Sequence, residues 1–363
     1  PFLRVNPLFR CPKKRGKLND SIKDIVYVVP AGAFVRNVHR WSAHVMVVLV
    51  FLHMTRVFFT ASYKRGRGFN WVIGILLLAV TLALSFTGYL LPWDQLAYWA
   101  VTIGANIASS PSELTDALGV TEQFDIGSAI RHLLLGSNDI GDDAVLRFYF
   151  LHCIFLPMLM LILVGVHFWR IRKDGGLTRP DDILESELAG IPVDEDAERS
   201  HGADEPPATM RVLGIVPGTS PNVDKGPSGT VASWPHALRS ELAAAAFITA
   251  ITLVLAYFFD APLKEAANPL VPENPAKAPW YFLGLQELVG YSAFTGGLVV
   301  PSLAMLGLAS VPLLDRSPGP VGRWFDDAHG KRLALVSAVF ATVVTVGLLA
   351  FTVRYGWFRT WWP

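Results

Sequence analysis

The sequence predicts an all-α integral membrane protein, built as a helical bundle with six transmembrane helices. Of its 363 residues, 52% are hydrophobic and only 17% are charged, a more apolar balance than soluble domains have. Each of six apolar stretches is close to the ~20 residues that a helix needs to cross a bilayer. These stretches cover about 38–59, 71–91, 146–169, 238–259, 296–314 and 333–353.

The basic residues give the six spans one consistent orientation. Lysine and arginine follow the first, third and fifth spans, at ends that share one side because successive spans alternate in direction. The positive-inside rule makes that side cytoplasmic, so the long connections 92–145 and 260–295 lie outside. A net charge of +1 gives no indication of nucleic-acid binding. The clustered basic residues are Lys64, Arg65, Arg67, Arg170, Arg172, Lys173, Arg316, Arg323, Lys331 and Arg332.

Two parallel spans, the first and the third, each carry a pair of histidines at matched spacing. His39 and His53 have the spacing i, i+14, and His152 and His167 have the spacing i, i+15. After about four helical turns each pair returns to nearly the same face, ~21–22 Å further along the axis. His39 and His152 therefore share an outer depth, and His53 and His167 share an inner one. An imidazole inside a membrane is costly, so the pattern predicts two stacked bis-histidine metal sites, suited to two haems.

A simpler interpretation of one membrane histidine is a hydrogen bond to a neighbouring helix or to water. His44 is interpreted in this way, because it lies about 140° round the helix from His39 and points elsewhere. The matched spacing of the other four histidines favours ligation over this simpler interpretation.

Composition divides the chain into four parts. Residues 1–37 are polar and irregular, 38–173 carry the histidine pairs, 174–236 form a polar linker, and 237–363 hold the last three spans. The basic segment RCPKKRGK conflicts with the orientation, because it precedes the first span on the outer side. Either a preceding transmembrane helix is missing between about Cys11 and Asn19, or a short basic tail has been translocated.

Three groups of motifs resemble a known family. RNVHRWSAH with LHMTR, GYLLPWDQLAYWAV, and LRFYFLH with VGVHF resemble the second, third and fourth helices of the cytochrome b subunit of the quinol-oxidising cytochrome bc1 and b6f complexes. The resemblance covers nearly everything from about Asp20 onwards, apart from 174–236. HRWSA, PWDQ and the i, i+15 spacing of the second histidine pair resemble the b6f branch, with a b6-like haem half fused to a subunit-IV-like half. The family begins with one more helix, which this chain lacks.

The resemblance implies two b-type haems. His39 and His152 would ligate the haem of low potential, and His53 and His167 the haem of high potential.

Four further positions are implied as haem contacts. Arg36 and Arg56 match family positions that contact haem propionates, and both lie where a cation can meet a carboxylate near the interface. Ordinary snorkelling of the two arginines is the alternative. Gly74 and Gly88, which also have the spacing i, i+14, would let a flat macrocycle approach the second span, with close helix packing as the alternative.

The resemblance places an outer quinol site in the proline-rich connection. Where the family has Pro-Glu-Trp-Tyr, this chain has Ala278-Pro279-Trp280-Tyr281, so Pro279 replaces the carboxylate. Quinol oxidation releases protons, and Glu287, two turns past Trp280 if the segment is helical, is the candidate acceptor. A solvated loop carboxylate is the alternative interpretation of Glu287. Tyr281 is the hydrogen-bonding residue of the motif.

The implied function is that of a subunit of a quinol:cytochrome c-type oxidoreductase. Electrons would pass from quinol at the outer face, through two b haems, to a quinone at the inner face, with proton translocation. His236, Arg239 and Asp315 are candidates for the inner quinone site by location alone. The alternatives are a di-haem anchor subunit of a dehydrogenase or hydrogenase, and a histidine-bearing transporter without haem.

The implied partners follow from what the chain lacks. It has no Cys/His cluster for an iron–sulfur centre, so a Rieske-type iron–sulfur protein must be separate, and so must a c-type cytochrome. The resemblance also implies a dimer within a multi-subunit complex, placed in a bacterial-type inner, energy-transducing membrane.

Overall fold

The computed structural model describes most of the chain. The described residues are 15–137, 139–174, 238–272, 277–316, 321, 322, 324 and 328–354. Within these ranges the regular elements are helices, and an isolated bridge joins Asp94 to Ala266. Residues 1–14, nearly all of the predicted linker and His236 lie outside the described residues.

The helices alternate between long membrane-length segments and short connecting ones. Short π-helical turns at Leu151–Phe155 and Thr295–Val299 lead into α8 and α11, and a 3-10 turn at Trp280–Phe282 leads into α10. In chain order the helices are α1 (Arg15–Tyr27), α2 (Gly32–Phe59), α3 (Gly68–Leu90), α4 (Gln95–Ser109), α5 (Pro111–Ala117), α6 (Ile126–Leu135), α7 (Asp142–Phe150), α8 (Leu156–Lys173), α9 (Leu238–Phe258), α10 (Leu283–Val289), α11 (Val300–Leu314) and α12 (Ala328–Arg354).

Among the described residues, five helical segments are long and apolar enough to cross a membrane. They correspond to the first five predicted spans, and large apolar side chains such as Leu161 and Phe247 (each 65% exposed) project from them. The sixth predicted span falls in α12, which is 27 residues long but is not one of these five, so this span stays a prediction. The five segments are Gly32–Phe59, Gly68–Leu90, Asp142–Lys173, Leu238–Phe258 and Thr295–Leu314.

The prediction that residues 1–37 are irregular is wrong for residues 15–37, the part of this segment that the structure describes. Residues from Arg15 onwards form α1, and α2 begins at Gly32. The polar composition concealed the helical spacing of Leu18, Ile22 and Ile25. The buried side chain of Asn19 donates to the Pro92 carbonyl at 3.2 Å, which fixes α1 to the end of α3.

The connection 92–145, predicted as a long polar stretch, is also largely helical. Asp94 and Asp125 cap α4 and α6 by accepting from the amides of Ala97 and Ser128, each at 2.9 Å, a contact worth about 1 kcal/mol. The apolar faces of α4, α6 and α7 pack on the end of α3 and form the main buried core of the described residues. This core contains Leu90, Trp93, Ala97, Val101, Ala105, Leu135, Ile140, Ala144, Val145 and Phe148.

Helix α2 binds the end of α9 through three polar side chains. Arg36, Asn37 and Trp41 donate to backbone carbonyls at the end of α9 and in the segment that follows it. This contact joins the histidine-bearing part of the chain to the C-terminal part. The hydrogen bonds are Arg36 to the Ala261 and Pro262 carbonyls (both 2.6 Å), Asn37 to the Ala256 carbonyl (3.1 Å) and the Asp260 carboxylate (2.8 Å), the Ala261 amide to Asn37 (2.8 Å), and Trp41 to the Phe259 carbonyl (2.8 Å).

Candidate functional site

A π-helical turn at Leu151–Phe155 sets the direction in which His152 points around the helix axis. In an unbroken α-helix, the i, i+15 spacing would turn His167 about 60° from His152, whereas the i, i+14 spacing in α2 gives about −40°. A π turn absorbs one extra residue, which removes this difference of about 100°. The two unequal spacings therefore give the same two-level arrangement on α2 and on α7–α8.

The structure brings the four predicted histidines together as two pairs. The ring centroids of His39 and His152 are 6.1 Å apart, with an interplanar angle of 87°. Those of His53 and His167 are 6.3 Å apart, with an angle of 79°. Imidazoles on opposite sides of one metal ion, each with a metal–nitrogen bond of ~2.0–2.1 Å, have ring centroids about 6 Å apart. Both pairs have the separation that a shared metal ion requires.

Hydrogen bonds to His152 fix its tautomer. Its Nδ1 lies 3.1 Å from the Leu84 carbonyl oxygen and 3.3 Å from the Thr87 hydroxyl. A carbonyl oxygen only accepts, so Nδ1 carries the proton and Nε2 keeps the lone pair that metal ligation uses. The Nδ1 of His167 is buried beside the backbone of Asn70, without a hydrogen bond of normal geometry.

Each pair lines a cavity, and a glycine from α3 contributes to each. The outer cavity, about 350 Å³, contains His39, His152 and Gly88. A Cβ on Gly88 would lie 2.5 Å from Cε1 of His152, so this glycine makes room for the imidazole itself. The inner cavity, about 410 Å³, contains His53, His167 and Gly74. A Cβ on Gly74 would meet nothing within 4 Å, so its backbone faces open space.

The residues fit a haem better than a bare metal ion. In the described part of the chain, no group of three or more His, Cys, Asp or Glu side chains could hold a metal ion. Each histidine pair thus supplies two ligands, and the remaining donors must come with the metal, as in a porphyrin. The inner cavity is also lined by Asn70 and Asp174, whose Oδ1 and Oδ2 atoms are buried without hydrogen-bond partners. Both are acceptor atoms, so they indicate that a hydrogen-bond donor belongs there.

The arginines near the cavities differ in their contacts. Arg36, predicted as a propionate contact, lines the outer cavity, but its guanidinium donates to the Ala261 and Pro262 carbonyls in the segment that follows α9. Arg40 lines the same cavity and was missed, although it directly follows His39 in the sequence. Arg56, the other predicted propionate contact, lines the inner cavity together with Arg67, which was also missed.

A third cavity, about 330 Å³, lies between α3, α4 and the Ala278–Tyr281 motif with α10. Its walls are mostly apolar, formed by side chains such as Phe86, Ile103 and Leu285, and they include Pro279 and Gln286. It shares three lining residues, Tyr89, Leu96 and Pro279, with the outer histidine cavity. The two cavities are therefore neighbours with Pro279 in the wall between them.

The predicted outer-site residues are distributed over these two cavities. Tyr281 lines the outer histidine cavity, and Trp280 donates from Nε1 to Nδ1 of His44 at 3.1 Å. Burial raises the pKa of Tyr281, opposed by its hydrogen bond to Ser85 and the charge of Arg40, so the phenol keeps its proton.

Glu287 is not among the residues that line either cavity. Its neighbour Gln286 lines the apolar cavity instead and accepts from the Ala278 amide at 2.7 Å.

At the inner end, Asp315 accepts a hydrogen bond from the Tyr63 hydroxyl at 2.5 Å and lies 3.0 Å from Nζ of Lys64. Burial, and then this hydrogen bond, raise the pKa of Tyr63 well above its ordinary value. Tyr63 also lines the inner histidine cavity. Of the other inner candidates, Arg239 lies in the first turn of α9.

Comparison with known proteins identifies the family. Residues 44–197 match the family model described as cytochrome b(N-terminal)/b6/petB. Cytochrome b6 of Heliomicrobium gestii is 41% identical over 155 residues, which cover 43% of this chain and 67% of the relative. Cytochrome b6 of Heliobacterium mobile is 40% identical over the same shares of the two chains. Cytochrome b6 of Acaryochloris marina is 38% identical over 156 residues, again 43% and 67%. The chain belongs to the cytochrome b/b6 family.

The fold of this cytochrome b also resembles a solved structure. A chain of a "Hyperthermophilic respiratory Complex III" matches with a TM-score of 0.65 and 24% identity, over 97% of this chain and 87% of that chain. The resemblance to a b6-like cytochrome b and the all-α membrane bundle are thus confirmed. The protein is an integral, multi-pass bc-type cytochrome b that binds haem b as a subunit of a redox complex.

Proposed function

We propose that this cytochrome b is the di-haem subunit of a quinol-oxidising bc-type complex. The observation that carries the proposal is the stacking of two histidine couples, with ring-centroid separations of 6.1 and 6.3 Å, where the outer couple lies next to an apolar cavity. His39 with His152, and His53 with His167, would each hold one b haem. Bound haem supplies one-electron redox chemistry at each level.

The chain's own residues have distinct tasks in this proposal. The apolar cavity would bind the quinol ring and keep water away from it, with Pro279 in the wall towards the outer histidine pair. Tyr281, which keeps its proton and lines the outer cavity, would donate a hydrogen bond to a quinol or quinone oxygen that reaches the boundary shared by the two cavities. Arg40 and Arg56 would offset negative charge beside the outer and inner haems, and Gly74 would admit the flat ring.

The direction of transfer and the partners complete the proposal. Quinol would be oxidised outside and a quinone reduced inside, with one electron leaving to a Rieske-type iron–sulfur protein and on to a c-type cytochrome. The complex would be a dimer in a bacterial inner membrane. Residues 38–173 would form the haem-binding unit and 237–363 the unit carrying the quinol motif. The family match favours this function over a di-haem anchor of a dehydrogenase or hydrogenase.

Haem content and quinol-driven reduction test the proposal directly. The purified complex should contain two b haems per chain, and a reduced-minus-oxidised spectrum should show b-type bands. Quinol should reduce them, and an inhibitor that occupies the outer cavity should block turnover. One haem or none per chain, or turnover that is insensitive to every outer-site quinol analogue, would contradict it.

A further inference from the structure

His44 is an ionisable side chain inside a membrane helix that haem ligation does not use. It lies about 7.5 Å further along α2 than His39, since each residue adds ~1.5 Å. Its ring is 5.7 Å from the ring of Tyr281, and its Nδ1 accepts a hydrogen bond from Trp280 at 3.1 Å. Two residues of the outer-site motif therefore contact this one imidazole. An ionisable group at such a depth is costly, which favours a functional role.

The contact with Trp280 fixes the protonation state of the neutral ring. An indole N–H only donates, so Nδ1 of His44 must hold a lone pair, and the ring proton must be on Nε2. A further proton can therefore add only at Nδ1. The protonated ring has donors at both nitrogens, so it can no longer accept from Trp280. Proton uptake by His44 and release of the indole are thus the same event.

We propose that His44 accepts a proton from quinol at the outer site, where this chain has Pro279 in place of a carboxylate. This inference rests on the proposed function. In the step, a quinol O–H bond breaks, its electron pair stays on oxygen, and an N–H bond forms at Nδ1 of His44. The electrons leave to the iron–sulfur protein and the b haem named above. Trp280 loses its acceptor, which opens the motif for departure of the product.

The surroundings of His44 provide charged groups for the next step of the proton. Arg40 lies one turn earlier on the same helix, and Tyr281 faces the ring from the motif. The outer cavity that contains these groups also includes Arg36 on α2, and Asp94 and Lys264 from the outer loops. It holds His39 and His152 as well. These polar side chains line one cavity with His44, on the side of the bundle that the proposed orientation assigns to the outer face.

The arrangement favours His44 over Glu287 as the acceptor. His44 lines the outer cavity, which adjoins the apolar quinol cavity at Tyr89, Leu96 and Pro279, and it contacts the motif directly. Glu287 lines neither cavity. Neither the spacing nor the local sequence revealed this, since His44 and Trp280 are 236 positions apart.

Two variants of the whole complex test the inference. In H44N the amide oxygen can still accept from Trp280 but cannot take up a proton, whereas H44F loses both properties. General-base catalysis typically contributes 100-fold or more, so H44N and H44F should both oxidise quinol about 100-fold more slowly. The wild-type rate should rise with pH as His44 loses its proton, and this rise should be absent in H44N. Haem content should equal that of the wild type in both.

The outcomes separate the inference from the proposed function. If H44N matches the wild type at every pH while H44F is slow, His44 only positions Trp280, and the inference is overturned. The same holds if E287Q, and not H44N, removes the pH-dependent rise. A wild-type complex that binds two haems but does not oxidise any quinol overturns the proposed function, and the inference with it.

Discussion

At the scale of single residues, Gly88 shows how closely the backbone must approach a ligand. A methyl group there would lie 2.5 Å from the His152 ring, inside van der Waals contact. Gly88→Ala should therefore displace this imidazole and lower the haem content from two per chain towards one, with the loss at the outer level. A pyridine haemochrome assay measures the haem content, and a redox titration shows which of the two haems is lost.

Gly165 provides the matched control on α8, because a Cβ there would meet nothing within 4 Å. Gly165→Ala should keep both haems. Equal haem content in the two variants would refute the role given to Gly88.

Tyr281 offers a second prediction at this scale. Burial raises its pKa above the ordinary value of about 10, so the phenol stays neutral and can donate across the working pH range. Tyr281→Phe should lower quinol oxidation about tenfold through one lost hydrogen bond, without changing haem content. The pH profile should keep its shape, because no tyrosine ionisation contributes to it. Steady-state kinetics from pH 6 to 9 would reveal a changed shape if this assignment is wrong.

The residue scale also shows what the sequence can reveal. His39, His53, His152 and His167 were predicted from spacing alone, because helical periodicity carries that information along one chain segment. The hydrogen bond between Trp280 and His44 was not, since it joins segments far apart in sequence. Arg40 was overlooked because its cavity exists only when α2 packs against α3 and the outer loops.

At the scale of elements, the π turn at Leu151–Phe155 makes a testable claim about helix geometry. Deleting Cys153 should convert the turn to regular α-helix and shorten the histidine spacing to i, i+14, the spacing found in α2. Both haems should then remain bound. Inserting one alanine after Leu161 should instead rotate His167 by about 100° relative to His152 and cost a haem. Haem-to-protein ratios distinguish these results, and haem loss in the deletion would show that the turn has another role.

Asn37 tests the attachment of α2 to α9. Its side chain is 5% exposed and bonds the Ala256 carbonyl, the Asp260 carboxylate and the Ala261 amide. Asn37→Ala leaves these groups without a partner, each costing about 1–3 kcal/mol when buried. The melting temperature in detergent should fall clearly, whereas Ser42→Ala, at an exposed position of the same helix, should leave it unchanged. Similar melting temperatures for both variants would argue against this role.

The elements that sequence reasoning missed have a common physical cause. Helices α4 to α6 are shorter than a bilayer crossing, and the acidic residues of the connection that contains them resemble those of a loop. Their helical character depends on caps such as Asp94 and on apolar faces that are buried only when the bundle assembles. The π turn leaves no compositional signal, because one extra residue in an apolar run changes neither hydropathy nor propensity.

At the scale of the whole molecule, described contacts between helices join the two halves. Asn37 and Trp41 bind the end of α9, and Trp71 of α3 donates to the Leu308 carbonyl of α11 at 2.6 Å. Cleavage within 175–237 should therefore leave the halves associated and both haems bound. A protease site inserted there, followed by size-exclusion chromatography in detergent, measures this. Separation of the fragments would show that covalent linkage is needed.

The wall that contains Pro279 has a consequence for energy conversion in the proposed complex. A proline ring has no N–H and no ionisable group, so Pro279 itself can neither store nor conduct a proton. Electrons can tunnel across a thin barrier of this kind, whereas a proton must pass round Pro279 to reach His44 in the outer cavity. The electrons and the protons released by one quinol oxidation would thus leave the site by different routes. A partition that is inert to one charge carrier and permeable to the other hinders their recombination, which would otherwise dissipate the membrane gradient as heat.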